Sequence, residues 1–180
     1  MNSRLRALAA GIALTFFSVA PGAAQDLDPE NALVMQLKCG NVVVKLRPDV
    51  APAHVERIKE LAREGFYDGI VFHRVIDGFM AQTGDPTGTG TGGSDKPDLP
   101  AEFSNVPFER GTLGMARTSD PNSANSQFFI MFAEGGFLNG QYTVWGEVVE
   151  GMDCVDQINK GEPPANPDKI MKMQVMKDAK

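Results

Sequence analysis

Apolar and polar positions alternate along most of the chain with a period of two, and two stretches of helical period interrupt them. Residues 33–38 and 42–47 are β-rich runs separated by Cys39-Gly40-Asn41, a turn signal, so they are expected to pair as an antiparallel hairpin. Pro52 suits the first turn of a helix. In that helix Val55, Ile58, Leu61 and Ala62 fall on one face, His54, Glu56, Lys59 and Arg63 are expected to face largely away, and Gly65 ends it. Further strands are expected at 70–75, 79–83, 112–117, 127–132, 143–149 and 169–176, the last with Met171, Met173 and Val175 on one side and Lys172 and Gln174 on the other. A second helix is expected at 152–159, followed by a proline-rich connection at 161–167. Eight strand candidates with few helices between them predict a mainly β fold, a closed antiparallel barrel, because closure removes exposed sheet edges.

The N-terminus breaks this pattern. Arg4 and Arg6 precede an apolar run at 8–19, and Pro21-Gly22-Ala23-Ala24 supplies small residues for cleavage, the arrangement of a secretory signal. The run falls short of the ~20 residues that span a bilayer, and no Cys follows it to take a lipid anchor. The expected organisation is therefore a signal peptide at 1–24 and one globular domain at 25–180, exported, and periplasmic if the source is a Gram-negative bacterium.

Charge narrows the partners. A net charge of −6, with Lys and Arg scattered along the chain, leaves no basic footprint for nucleic acid and suits a soluble monomer. The two histidines lack metal-ligand spacing, so neither a structural metal nor a cofactor is expected. Cys39 and Cys154 are the only cysteines; a bridge between them and two separate buried thiols both remain open.

Most familiar chemistries find no support. The serines lie outside any G-x-S-x-G elbow, and only His54 and His73 could act as imidazole bases. Asp77 and Asp85 flank an apolar strand and read as turn residues. The glycine-rich stretch 84–93, GDPTGTGTGG, lacks the Gly-Lys-Ser/Thr ending of a phosphate loop, and is expected to lie beside an extended ligand. What stands out is Arg74, Phe79, Met80 and Gln82 within nine residues, followed by Phe128-Phe129 and Phe137-Leu138. Strict alternation puts Met80 and Gln82 on one face and Phe79 on the other unless a turn intervenes. His73, next to Arg74, faces the opposite side and is expected to be a hydrogen-bonded structural histidine, and Trp145 is expected in the core.

The segments FHRVIDGFMAQTGD, GTGTGG, GTLGMAR, NSANSQFFI and FLNGQYTVWGEVVEGMD resemble, in order and spacing, the signature segments of cyclophilins, and the resemblance spans roughly 33–176. It implies a peptidyl-prolyl cis-trans isomerase built on an eight-stranded barrel capped by two helices, with its groove on the outer face. Arg74 and Gln82 would be the catalytic pair, Gln82 orienting Arg74. Phe79, Met80, Phe129 and Leu138 would form a proline pocket, with Ala116, Arg117, Gln127, Phe137 and Tyr142 completing the groove. Arg117 would act chiefly through its backbone. The implied partners are proline-containing segments of unfolded or flexible proteins.

Three positions depart from the best-known members: Phe137 stands where many have Trp, Tyr142 where they have His, and Arg117 where they have Asn. Phe137 lacks the indole N–H, so weak cyclosporin binding is expected. Two other readings compete: a cyclophilin-fold module that grips proline segments without turning them over, and a barrel carrying a small ligand in its interior.

Overall fold

The computed structural model describes residues 27–179, so the signal segment expected at 1–24 and its cleavage site lie outside the described residues. The first hairpin is as the turn signal predicts: β1 (Ala32–Gln36) pairs antiparallel with β2 (Asn41–Leu46), Ala32 opposite Lys45 and Gln36 opposite Asn41. The remaining strands are β3 (Arg74–Ile76), β4 (Met80–Thr83), β5 (Thr112–Met115), β6 (Phe128–Met131), β7 (Val144–Glu150) and β8 (Lys172–Val175). All eight join one sheet in the order β3-β4-β6-β5-β7-β2-β1-β8, with every ladder antiparallel.

The sheet curls into a half-barrel rather than the closed barrel expected. Its end strands β3 and β8 share no ladder; the gap is spanned by an isolated bridge between Val71 and Lys169 and by hydrogen bonds such as Phe72 N–H to Asp168 C=O at 2.9 Å. Three-residue β3 is too short to close a sheet by itself.

Alternation sorts the core into two clusters. On β6, Phe128 and Ile130 point into the barrel with Trp145, Leu33 and Val44, whereas Phe129 and Met131 point outward with Met80, Phe108, Leu138 and Val144. Burial on both faces explains why β6 reads as an unbroken apolar run. Trp145 is fully buried, its ring edge-on to Phe128 at 5.3 Å between centroids, and side chains fill the interior that a ligand-carrying barrel would leave open.

Helix α1 (Pro52–Arg63) buries Val55, Ile58, Leu61 and Ala62 against the sheet as its periodicity predicts, and Glu56 and Arg63 are exposed. His54 and Lys59 correct the expectation: both are buried. Two segments outside the helix cover them. Glu102 accepts His54 Nδ1–H at 2.6 Å and the backbone N–H groups of Ala53 and His54 at 3.1 Å each, capping a helix whose own N-cap, Ala51, has no side-chain acceptor. Lys59 Nζ is held between Glu30 at 2.8 Å and Glu56 at 2.9 Å.

The second helix, α2 (Met152–Asp156), is shorter than expected. It carries Cys154, which is bonded to Cys39 in the β1–β2 turn with Cα atoms 5.4 Å apart, and this resolves the open alternative in favour of a disulfide. Met171 precedes β8 and is exposed, unlike its expected partners Met173 and Val175, which are buried.

Candidate active site

The outward-facing cluster continues to the surface as a groove of about 300 Å³. Arg74, Phe79, Met80, Gln82, Ala116, Arg117, Phe129, Phe137, Leu138 and Tyr142 line it, and Gln127 lines a neighbouring cavity of about 440 Å³ that shares Gln82, Ala116 and Arg117 with it. Register explains the convergence. Arg74 on β3 lies opposite Gln82 on β4, Gln82 opposite Phe129 on β6, and Phe129 opposite Gly114 on β5, so three of these side chains stand in one row on the outer face.

A turn brings in the residue that alternation sends elsewhere. Between β3 and β4 the chain turns at Gly78, where φ is +67°, with Phe79 N–H donating to Ile76 C=O at 3.1 Å. Phe79 thereby reaches the same face as Met80, its ring 5.4 Å from that of Phe137. Met80, Phe129 and Leu138 are buried and form the floor, while Phe137, 66% exposed, is the rim. Phe108, absent from the expected set, backs the floor by stacking on Phe129 at 5.7 Å; its position in an irregular segment gives no periodic signal.

The polar wall is hydrogen-bonded more closely than the sequence suggests. Gln82 Nε2 donates to Gln127 Oε1 at 2.9 Å, and Gln127 Nε2 donates in turn to the carbonyls of Gly90 at 3.0 Å and Gly92 at 2.8 Å. Arg74 makes its hydrogen bond to Glu162 instead, from Nε to Oε2 at 2.7 Å, and its Nη groups make none among the described residues. The Arg117 side chain is itself engaged: Nη2 donates to Gln141 C=O at 2.8 Å, Nη1 to Thr118 C=O at 2.8 Å, and the guanidinium lies 4.4 Å from the centre of the Tyr142 ring.

The glycine-rich loop has its own anion. The carboxylate of Asp85 accepts the backbone N–H groups of Thr87, Thr89, Gly90 and Gly92 and the Thr87 hydroxyl. The backbone donors that could cradle a phosphate are thus taken by a side chain of the loop itself. Burial alone would push the Asp85 carboxyl up, but the bonds from Thr87, Gly92 and Gly90 outweigh it and hold it well below the usual carboxylate range.

His73 is buried beneath this loop, where a Cβ at Gly90 would stand 3.4 Å from its ring. Contrary to expectation, neither ring nitrogen has a hydrogen-bond partner among the described residues. Burial lowers its pKa and keeps the ring neutral, with Asp85 opposing the shift and Arg74 reinforcing it.

Residues 32–175 match the family model of the cyclophilin type peptidyl-prolyl cis-trans isomerase/CLD. A probable peptidyl-prolyl cis-trans isomerase of Brucella suis biovar 1 is 56% identical, across 97% of this chain and 96% of its own length. Among solved structures, cyclophilin AquaCyp293 of Hirschia baltica superposes with a TM-score of 0.79 at 31% identity, covering 86% of this chain and 77% of that one. A Cryptosporidium parvum cyclophilin-type isomerase, crystallised in the presence of the dipeptide Ala-Pro, gives 0.74 at 28% identity, covering 80% and 98%. With the matched residues running from β1 to the end of β8, the chain belongs to the cyclophilin-type peptidyl-prolyl cis-trans isomerase family and is an enzyme of that class.

Proposed function

We propose that this isomerase turns X-Pro bonds in the groove between β3, β4, β5 and β6, with Arg74 as the catalytic residue and Met80, Phe129 and Leu138 as the seat of the proline ring. The observation that carries the reading is the juxtaposition of a guanidinium with unengaged Nη groups and a buried apolar floor in one cavity.

Rotation about an X-Pro bond is slow because amide resonance raises a barrier of about 20 kcal/mol. No covalent bond is broken. The barrier falls if the site binds the twisted amide better than either planar form. As the bond twists, conjugation is lost and the proline nitrogen regains its lone pair. A guanidinium, always charged and rigidly forked, can donate to that nitrogen or hold the adjoining carbonyl. The apolar floor anchors the ring while the acyl side turns, and its low polarity strengthens the contact. Gln82 and Gln127 form the polar wall along which an extended substrate lies, with the 90–94 backbone beyond it. The ligand is a proline-containing segment of an unfolded or flexible protein, in keeping with the Ala-Pro dipeptide named with the Cryptosporidium structure.

The substrates are exported proteins and the mature domain runs from about residue 25, a reading supported by the signal-like pattern at 1–24 and in keeping with a Cys39–Cys154 bridge, which an oxidising compartment favours. N-terminal sequencing of the protein recovered from cell fractions tests both points; an uncleaved cytoplasmic product would refute them.

The test of the site is isomerisation of a short X-Pro peptide, followed by NMR exchange, with wild type and Arg74→Ala side by side. Loss of a charge-assisted contact of about 3 to 4 kcal/mol lowers the rate by about 10² to 10³. An Arg74→Ala protein as fast as wild type would refute this role. Binding without turnover in both would point to a module that only grips its ligand.

A further inference from the structure

The proline-rich connection at 161–167 reaches the groove. Val75 and Gly161 form an isolated antiparallel bridge, exchanging N–H to C=O hydrogen bonds of 2.8 Å in both directions. Antiparallel pairing counts residues in opposite directions from the bridge, so Glu162 falls opposite Arg74 on the free edge of β3, as Gln82 does on the paired edge. The connection is held tightly in this course: a Cβ at Gly161 would stand 2.6 Å from Pro164 Cα and 2.8 Å from Pro163 C=O, a space open only to glycine. Glu162 uses its placement to accept Arg74 Nε–H at 2.7 Å.

We infer that Glu162 is the positioning residue of this isomerase: by holding Arg74 through Nε it fixes the plane of the guanidinium and leaves both Nη groups directed to the twisting amide. This inference rests on Arg74 being the catalytic residue. An arginine side chain has four rotatable bonds, and an unanchored one must be immobilised at each turnover. Gln82, the other neighbour across the strand, makes no hydrogen bond to Arg74; its Nε2 donates to Gln127 instead. Glu162 takes the Nε donor of the five and leaves the four Nη donors uncommitted.

The pair is a poor stabiliser of the fold, which separates the two roles. The Arg74 and Glu162 side chains are 43% and 52% exposed, so water screens their attraction and their loss leaves stability nearly unchanged. Orientation, by contrast, acts directly on the rate.

The experiment compares wild type, Glu162→Ala, Glu162→Gln, Arg74→Ala and the Arg74→Ala/Glu162→Ala double variant, each measured for kcat, KM and Tm. The Arg74 Nε–Hε resonance is followed by NMR. Glu162→Ala is expected to lower kcat about tenfold, the effect of a small loss of transition-state binding, with KM and Tm unchanged and the Nε–Hε resonance shifted. Glu162→Gln, whose amide oxygen still accepts from Nε, restores most of kcat. The double variant is no slower than Arg74→Ala alone. A Glu162→Ala protein with wild-type kcat overturns the inference while leaving Arg74 in place. So does a faster one, which would make Glu162 an inhibitory contact, and so does a loss of kcat that accompanies a loss of Tm or adds to that of Arg74→Ala. If Arg74→Ala itself keeps full activity, the reading of the groove falls and the role of Glu162 with it.

Discussion

The carboxylate of Asp85 accepts the backbone N–H of Gly90 at 2.6 Å, and Gly90 offers its carbonyl to Gln127 at 3.0 Å, so one buried anion sets the loop that orients the polar wall of the groove. Replacing Asp85 by Ala removes the acceptor of several backbone donors at once, and is expected to cost about 1 to 3 kcal/mol in urea unfolding, because water reaches the loop that carries those donors and offsets part of the loss. The pH dependence has a definite sign. The folded carboxyl sits below its ordinary value of about 3.9, so its contribution is complete above that pH and is lost as pH falls from there toward the folded pKa. Wild type should therefore lose stability below about pH 4 more steeply than Asp85→Asn. Equal acid slopes would refute the assignment.

The Cys39–Cys154 bridge closes a loop of 115 residues between the β1–β2 turn and α2, elements that contribute no residue to the groove. Chain-entropy reasoning assigns such a cross-link about 4 to 5 kcal/mol. Reduction, or the paired Cys39→Ser and Cys154→Ser substitutions, should lower the urea midpoint markedly while kcat/KM at 25 °C stays at the wild-type value. A matching loss of activity in folded protein would show that α2 communicates with the groove.

Much of this architecture was legible in the chain, and the exceptions have a common physical origin. Strand positions and the apolar face of α1 follow from periodicity, which reports how one element meets its neighbours. Periodicity is blind to what irregular segments cover. His54 and Lys59 look exposed on a helical wheel, yet Glu102 and Glu30, distant in sequence, close over them. Arg74, Gln82 and the apolar floor are assigned by resemblance, because they come from β3, β4, β6 and the turn at 136–138, whose mutual placement no local pattern supplies. Glu162 gave no signal at all: its place depends on the Val75–Gly161 bridge, a pairing of one residue with one. Asp85 offered a partial clue, since an aspartate opening a run of alternating Thr and Gly is surrounded by backbone donors free to turn inward.

Phe137 packs against Phe79 with the rings tilted by 37° and is the most exposed of the groove aromatics, and its side chain has no polar atom to offer a ligand. Phe137→Trp adds an indole N–H at the rim, a hydrogen bond with a net value of about 1 kcal/mol. Cyclosporin is expected to bind the wild type weakly and the variant about fivefold more tightly by calorimetry, while isomerisation of a short peptide changes less than twofold, roughly 0.4 kcal/mol. Tight binding by wild type would refute the role given to the missing N–H.

Gly114 tests the floor from behind. It lies opposite Phe129 on β5, and a Cβ there would stand 2.5 Å from Phe129 Cζ and 2.6 Å from Phe108 Cε1, closer than carbon atoms approach. Both rings are buried, so the strain cannot be relieved by swinging into solvent inside the sheet. The open side is the groove. Gly114→Ala is therefore expected to push the Phe129 ring outward into the proline seat, destabilising the fold by about 1 to 3 kcal/mol and raising KM for X-Pro peptides. Because Arg74 is anchored on the opposite wall by Glu162, kcat at saturating peptide should fall less than kcat/KM. Urea unfolding and steady-state kinetics on the one variant check both halves, and a destabilised protein with unchanged KM would show that the proline ring does not rest on Phe129.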